Sequence, residues 1–373
     1  MRVGFDARWY NDSGVGTYVA ELLKALVPLQ TSGTAGQSGF ELVLYENPKN
    51  PVPGLPGNSV ERVFISAGKY SLAGQLALKR RCAKDRLDLF HSPFYPIPLG
   101  ISCPVVVTLH DLIPFLFRSD NWPKRFLIKR GYRIAATRAS RIITVSDHTA
   151  RDVTKILHVS PQKITAIHNG VSHSDFHSKA NPAEASDVAR RYGIRSPYVV
   201  VGSARNWRTK NLPIALQAVA LARQRSGLEF QTVVYGPPDG LLAAGGADAW
   251  KQLNLVQTGL LPATEIARLF RHAQLFIMPS LYEGFGLTVI EAMACGCAIV
   301  TSNAGSLPEV AGEGAQLFDP VDVTGMATAL ARLLSDPAEQ TKWRDRALRR
   351  AADFSWQKTA EQTIEVYYQT IKQ

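Results

Sequence analysis

Cysteine is scarce in this chain of 373 residues: Cys82, Cys103, Cys295 and Cys297 are too few and too scattered for a disulfide framework. Cys295-Gly296-Cys297 has neither the spacing of a redox pair nor that of a zinc knuckle, so all four read as small core residues. The eight histidines include no HExxH pair, and no metal site is expected. No apolar run approaches the length that crosses a bilayer, and the opening MRVGFDARWY lacks the apolar region of a secretory leader. The expectation is a cytoplasmic chain. Acid is also in short supply, with 31 Asp+Glu against 42 Lys+Arg and a net charge of +11. Residues 1–190 hold 24 of the basic residues and 15 of the acidic ones, so the amino-terminal half carries the imbalance. That asymmetry predicts a negatively charged partner: a nucleic acid, an anionic membrane surface or a phosphorylated acceptor. The length predicts two domains, and 46% hydrophobic residues suffice for two cores.

The most informative stretch is 276–312, FIMPSLYEGFGLTVIEAMACGCAIVTSNAGSLPEVAG. Its first residues form an apolar run of strand type, 280–286 supply turn residues, and 287–295 adopt helical periodicity. A strand, a loop and a helix follow from that order. The helix start presents free backbone N–H groups and partial positive charge, and Gly284 and Gly286 remove side chains that would hold an anion away. Glu283 lies in the loop. Glu291 lies farther into the helix, where the rise from 286 to 291 is about 7.5 Å. Two acids so placed suit a ligand with a central anion and a hydroxyl-rich ring at each end, the amides of Phe285, Gly286 and Leu287 facing the charge. A nucleoside diphosphate sugar has that shape. The plainer reading of Glu291 is a solvated helix carboxylate, but Val289, Ile290, Ala292, Met293 and Ala294 around it are apolar and leave little room for exposure.

The chain opens as strand 2–7, a loop with Gly14-Val15-Gly16, and helix 17–27. The third glycine of a dinucleotide fingerprint is replaced by Val19, which argues against a nicotinamide cofactor. PVVVT at 104–108 is a buried parallel strand that ends in His110-Asp111-Leu112, and a His beyond a strand's carboxyl end lies where such folds build sites. A helix over 76–89 carries Lys79, Arg80 and Arg81. Residues 122–141 interleave Trp122, Phe126, Leu127 and Tyr132 with Lys124, Arg125, Lys129 and Arg130. Such a helix suits anionic headgroups, or simply packs an apolar stripe inward behind a basic exterior. After strand 198–202, the loop before helix 213–223 holds Arg205, Arg208 and Lys210, cations fit to neutralise a diphosphate.

EGFGLTVIEAMACG, with its two acids eight positions apart, closely resembles the signature of glycosyltransferase family 4 (GT4), retaining enzymes of α/β architecture in the GT-B fold. His110-Asp111-Leu112, the opening FDAR…GVG and TVSxxTxxD…HNGV are similar to segments of its mannosyltransferases. The resemblance implies two facing Rossmann-like domains with parallel sheets and an interdomain cleft: an acceptor-binding domain over 1–195, a nucleotide-sugar-binding domain over 196–355, and a C-terminal helix over 356–373 that crosses back. It implies that Glu283 contacts the donor sugar, that Gly284, Phe285, Gly286, Leu287 and Thr288 face sugar and diphosphate, and that Glu291 binds ribose. Arg205 and Lys210 would hold the diphosphate, His110 would lie near the sugar, Gly14 and Gly16 near the donor phosphates, and Leu260 and Leu261 beside the base.

The expected function is retaining transfer of a sugar, mannose from GDP-mannose in the first instance, to a hydroxyl of a glycan or lipid-linked acceptor in cell-surface polysaccharide biosynthesis. No metal cofactor is expected, no specific nucleic acid, and peripheral contact with anionic membrane through the basic residues named above. A UDP-sugar-dependent transferase and a GT-B sugar-nucleotide epimerase or hydrolase are the alternatives.

Overall fold

The computed structural model describes residues 1–10, 12–32, 39–55, 60–117, 121–179, 181, 187, 190–195, 197–202, 206–237, 240–241, 245 and 250–372. They form two compact units, Met1–Gly170 with Trp356–Gln373, and Val171–Ser355. By contacts the residues after Gly170 go with the second unit, whereas the sequence suggested a boundary near Ser196, which lies outside the described residues.

The first unit runs β1 (Arg2–Asp6), α1 (Ser13–Ser32), β2 (Glu41–Glu46), β3 (Glu61–Phe64), α2 (Leu72–Lys84), β4 (Leu89–Ser92), β5 (Val105–Leu109), α3 (Ile113–Leu116), α4 (Trp122–Arg138), β6 (Arg141–Thr144), α5 (Asp147–Leu157) and β7 (Ile164–Ala166). Its strands pair in the order β3-β2-β1-β4-β5-β6-β7, every ladder parallel. The β-branched run Val105-Val106-Val107 is buried on both faces, as a central parallel strand requires. The C-terminal helix, Trp356–Ile371, packs on α1, β4 and β6. Its Tyr367 hydroxyl lies 2.6 Å from His91 Nδ1, and Thr359 Oγ1 donates to the His168 carbonyl at 2.8 Å.

The second unit runs β8 (Tyr198–Val201), α6 (Leu212–Ser226), β9 (Gln231–Val234), β10 (Leu255–Gln257), α7 (Ala263–His272), β11 (Leu275–Met278), α8 (Leu287–Ala294), β12 (Ala298–Ser302), α9 (Leu307–Ala311), β13 (Gln316–Phe318), α10 (Val323–Ser335) and α11 (Pro337–Ala351). Its all-parallel sheet has the order β10-β9-β8-β11-β12-β13. Val199, Val201, Ile277 and Val300 pack there against Leu216 and Val219 of α6 and Leu330 of α10. In such sheets the chain winds outward from one strand and returns beside it, and the crevice beyond the carboxyl ends at that reversal is open to a ligand. The reversals fall between β1 and β4 in one unit and between β8 and β11 in the other.

One expectation about the opening loop is corrected. Helix α1 begins at Ser13, so Gly14 and Gly16 lie in its first turn rather than in a loop, with the Gly16 N–H donating to the Asp12 carbonyl at 2.9 Å. Ser13 takes the left-handed conformation, φ 45°, that turns the chain into the helix.

Candidate active site

Of the residues singled out between 206 and 291, the second unit's reversal brings Lys210 and Glu283 together. The loop after β8 brings in Lys210, and the loop after β11 brings in Glu283. The Thr209 carbonyl accepts from the Leu281 N–H at 2.8 Å, which ties the two loops together. Lys210 Nζ lies 2.8 Å from Glu283 Oε1, each side chain 16% exposed. Ser280 Oγ donates to the same oxygen at 2.9 Å. The ammonium also reaches the buried Met278 Sδ at 3.6 Å. The sequence suggested a cation for the phosphates and an acid for the sugar as separate parts; the structure couples them.

Glu283 is fixed through its backbone as well. The Ser306 N–H and Oγ both reach the Glu283 carbonyl, at 3.2 and 3.0 Å, and Ser306 Oγ donates to the Phe285 carbonyl at 2.8 Å. Gly305, at φ 61°, allows this approach, since a Cβ there would stand 2.7 Å from Glu283 N and 2.8 Å from its carbonyl oxygen. Gly286 begins α8 in the left-handed region at φ 100°, and a Cβ on it would meet Leu307 Cδ2 at 2.8 Å. Backbone can therefore approach a ligand at the start of α8, where the first turn's N–H groups lack helical partners.

Glu291 is half-buried on α8 while Val289, Ile290, Ala292, Met293 and Ala294 are buried. Tyr235, just past β9, is a site residue that sequence reading passed over. Its phenol is held well above the ordinary value, first by burial and then by the negative charge of Glu291, with the Thr288 hydroxyl bonded to it and Glu283 adding repulsion. Tyr235, Thr288, Glu291 and Glu283 thus share one electrostatic neighbourhood. The visible signal was an aromatic residue at a strand end before Gly236-Pro237.

Arg205 lies outside the described residues. Arg208 is exposed, its guanidinium 5.3 Å from the Trp207 ring centre. Leu260 is 65% exposed beyond β10, and Leu261 is half-buried. His173 and His177 have the four-residue spacing of a metal pair. However, His173 Nε2 bonds the Phe354 carbonyl at 3.1 Å, and the Arg271 guanidinium stands 3.5 Å from His177 Nε2, a cation where a metal would need none.

In the first unit His110 follows β5, and its Nε2–H donates to the Pro93 carbonyl at 2.9 Å. Burial pushes the imidazole down to about 4, against the pull of that bond, so the ring is neutral at pH 7. Its backbone carbonyl accepts from Thr149 Oγ1 at 3.5 Å. Trp122, Phe126 and Leu127 on α4 are 70%, 50% and 66% exposed, beside Lys124, Arg125, Lys129 and Arg130. Arg125 Nε donates to the Pro114 carbonyl at 2.8 Å, and Lys129 Nζ lies 5.2 Å from the Phe115 ring centre, so part of this basic face is anchored to α3. Among the described residues no helix is long and apolar enough to cross a membrane.

Two family profiles match. One, described as "Glycosyl transferases group 1", covers residues 196–336, and the other, "Glycosyltransferase Family 4", covers 13–175. The chain is 33% identical to an MMP alpha-(1→4)-mannosyltransferase of Mycolicibacterium hassiacum over 72% of its own length and 66% of that protein's. It is 27% identical to the O-antigen chain mannosyltransferase B of Escherichia coli over 75% of its length and 74% of that protein's. Among solved structures, a sucrose-phosphate synthase from Thermosynechococcus elongatus superposes with a TM-score of 0.78 at 18% identity, covering 99% of this chain and 98% of that one.

Proposed function

Because this chain belongs to the glycosyltransferases, family 4 over its first unit and group 1 over its second, we propose that it is a retaining hexosyltransferase of glycan biosynthesis that moves mannose from GDP-mannose to an acceptor hydroxyl. The observation that carries the reading is the coupling of Lys210 to Glu283 at the β8/β11 reversal, with Glu283 and Glu291 both acting on Tyr235. In it Lys210, with Arg205, meets the charge of the departing diphosphate, and no metal is called on to do so. Glu283, held by Lys210 and Ser280, accepts from the donor sugar's hydroxyls. The amides of Gly284, Phe285, Gly286 and Leu287 face sugar and diphosphate, the Thr288 hydroxyl closes that side, and Glu291 takes the ribose. Leu260 and Leu261 border the base. His110 offers its backbone carbonyl to positive charge developing at the sugar, and Gly14 and Gly16 leave space for the donor phosphates. The mannose assignment draws support from the two mannosyltransferase relatives and from His110-Asp111-Leu112.

Thermal unfolding of the full chain with GDP, UDP and ADP tests the donor reading, because a ligand that binds only the folded state raises the melting temperature. GDP gives the largest rise, and Glu291→Ala removes most of it while the ligand-free melting temperature holds. A larger rise with UDP would reassign the base, and an unchanged response in the variant would remove Glu291 from the ribose.

Peripheral membrane contact through α4 and the basic residues of α2, Lys79, Arg80 and Arg81, belongs to the same proposal. Exposed Trp122, Phe126 and Leu127 among lysines and arginines fit the headgroup layer of an anionic bilayer, where each cation contributes about 1 kcal/mol. The chain sediments with phosphatidylglycerol vesicles but not with phosphatidylcholine alone, and Lys124→Ala with Arg130→Ala together weaken that binding by about tenfold or more. Equal sedimentation of wild type and double variant would sink the contact.

A further inference from the structure

Asn211, the residue after Lys210, breaks two local rules at once. It stands at the start of α6, where an asparagine ordinarily keeps an extended backbone and accepts from an N–H of the helix's first turn. Its backbone is instead left-handed, at φ 56° and ψ 41°, and its side chain caps nothing. The Nδ2–H donates to the Pro320 carbonyl at 2.7 Å, 109 positions along the chain, in the turn between β13 and α10. Asn211 is 8% exposed, so water competes little for that bond. The far end of the tether is itself fixed. Asp319 accepts from the Val321 N–H at its carboxylate, 3.0 Å, and from the Asp322 N–H at its carbonyl, 2.9 Å, while Asp322 caps α10 by accepting from the Gly325 N–H at 2.8 Å. Leu212 and Leu216 of α6 share one core with Met326 and Leu330 of α10. Lys210 therefore sits between two ties: Thr209 to Leu281 in the loop after β11, and Asn211 to Pro320 in the turn after β13.

We propose that Asn211 is a positioning residue for Lys210: its tether to Pro320 fixes the backbone from which the lysine reaches Glu283 and the donor's diphosphate. The proposal rests on the transferase reading and adds to it the group that holds the cation in place. A lysine side chain is flexible, and each of its torsions has several wells, so the place of the ammonium depends on where its stem starts. A shift of about 1 Å at that start is enough to lower turnover substantially. Helix stability alone does not account for the arrangement. A conventional cap would give α6 a bonded N–H with no left-handed residue, whereas the tether leaves the first turn uncapped and keeps the unusual backbone. Sparsely populated conformations of this kind persist where the surroundings impose them, and they cluster at functional sites. What the tether does fix is the peptide next to the ammonium, whose N–H donates to the Asn206 carbonyl at 3.0 Å while that of Asn211 donates to the Arg208 carbonyl at 3.3 Å.

The test is a double-mutant cycle on the full chain, read as affinity for whichever of GDP and UDP the wild type binds more tightly, each variant being measured below its own melting temperature. Asn211→Gly deletes the tether and keeps the left-handed backbone at no steric cost, so the loop still turns into α6. It weakens nucleotide binding about fivefold, the scale of one lost hydrogen bond. In the Lys210→Ala background the same substitution changes affinity by less than about twofold, because the group it positions is gone. Asn211→Ala, which disfavours the left-handed turn as well, melts lower than Asn211→Gly and shows the same dependence on Lys210. Unaltered affinity in Asn211→Gly, or an equal loss with and without Lys210, overturns the positioning role and leaves the nucleotide site standing. Nucleotide binding that Lys210→Ala leaves intact removes Lys210 from the diphosphate, and failure of both GDP and UDP to bind the wild type overturns the transferase reading; either result takes this proposal with it.

Discussion

Lys210→Ala lowers turnover by roughly 10²- to 10³-fold, the range lost when a preorganised group facing developing charge is removed. The size follows from what remains. Glu283 keeps Ser280 Oγ but loses its cation at 2.8 Å, in a place where its side chain is only 16% exposed. The variant thus subtracts the positive charge that meets the diphosphate and leaves an uncompensated carboxylate facing it. A merely structural pair makes a different forecast, because deleting either member would then have the same effect. The two are told apart by nucleotide diphosphate affinity, read with GDP. It falls in Lys210→Ala and holds or rises in Glu283→Ala, whereas turnover falls in both. Equal losses of GDP affinity in the two variants would reduce Lys210 to a support for Glu283. Removing one member of a pair only 16% exposed also costs stability, so both variants are compared at temperatures below their own melting points.

Much of this was legible in the chain. Buried runs such as Val105-Val106-Val107 specified parallel strands, and the strand, loop and helix around Gly284 and Gly286 stand where periodicity predicted them, as β11 and α8. The C-terminal helix, expected over 356–373, runs Trp356–Ile371, and its amphipathic spacing made it legible. Strand β3, Glu61–Phe64, was passed over. It is an edge strand of four residues with only Val63 buried, so neither a long apolar run nor a full alternation marks it. Helix α1 starts earlier than predicted, because Gly14 and Gly16 weaken a helical pattern that tertiary packing of Tyr18, Val19 and Leu22 sustains. The site divides in the same way. Individual residues showed through residue type and spacing, but the partnership of Lys210 with Glu283 and that of Tyr235 with Glu291 join positions far apart in sequence, and topology alone creates them.

Topology also creates an acid-labile lock in the first unit, visible in no local stretch. His91, on β4, is fully buried, with Nδ1 2.6 Å from the Tyr367 hydroxyl and Nε2 2.8 Å from Thr108 Oγ1, which in turn lies 3.0 Å from the Tyr18 hydroxyl. A neutral imidazole donates at one nitrogen and accepts at the other, which satisfies both partners; an imidazolium would donate twice. Burial, aided by His110, pushes His91 down to about 3, and burial pushes His110 down to about 4. Their ordinary value is 6.5, so the unfolded chain binds protons that the folded chain refuses. The stability they contribute is fully present above pH 6.5 and is lost as pH falls from there toward 3. At pH 4.5, His91 alone costs about 3 kcal/mol, a large part of the roughly 5–15 kcal/mol that holds a domain together. Chemical denaturation of the full chain at pH 7.5 and pH 5 therefore shows a marked loss of stability on acidification. His91→Gln, which keeps an amide able to donate and accept, is less stable at pH 7.5 but loses less between the two. A pH slope identical in wild type and His91→Gln would clear His91 of the effect. The clamp of the C-terminal helix onto β4 would then owe nothing to the protonation state of that ring.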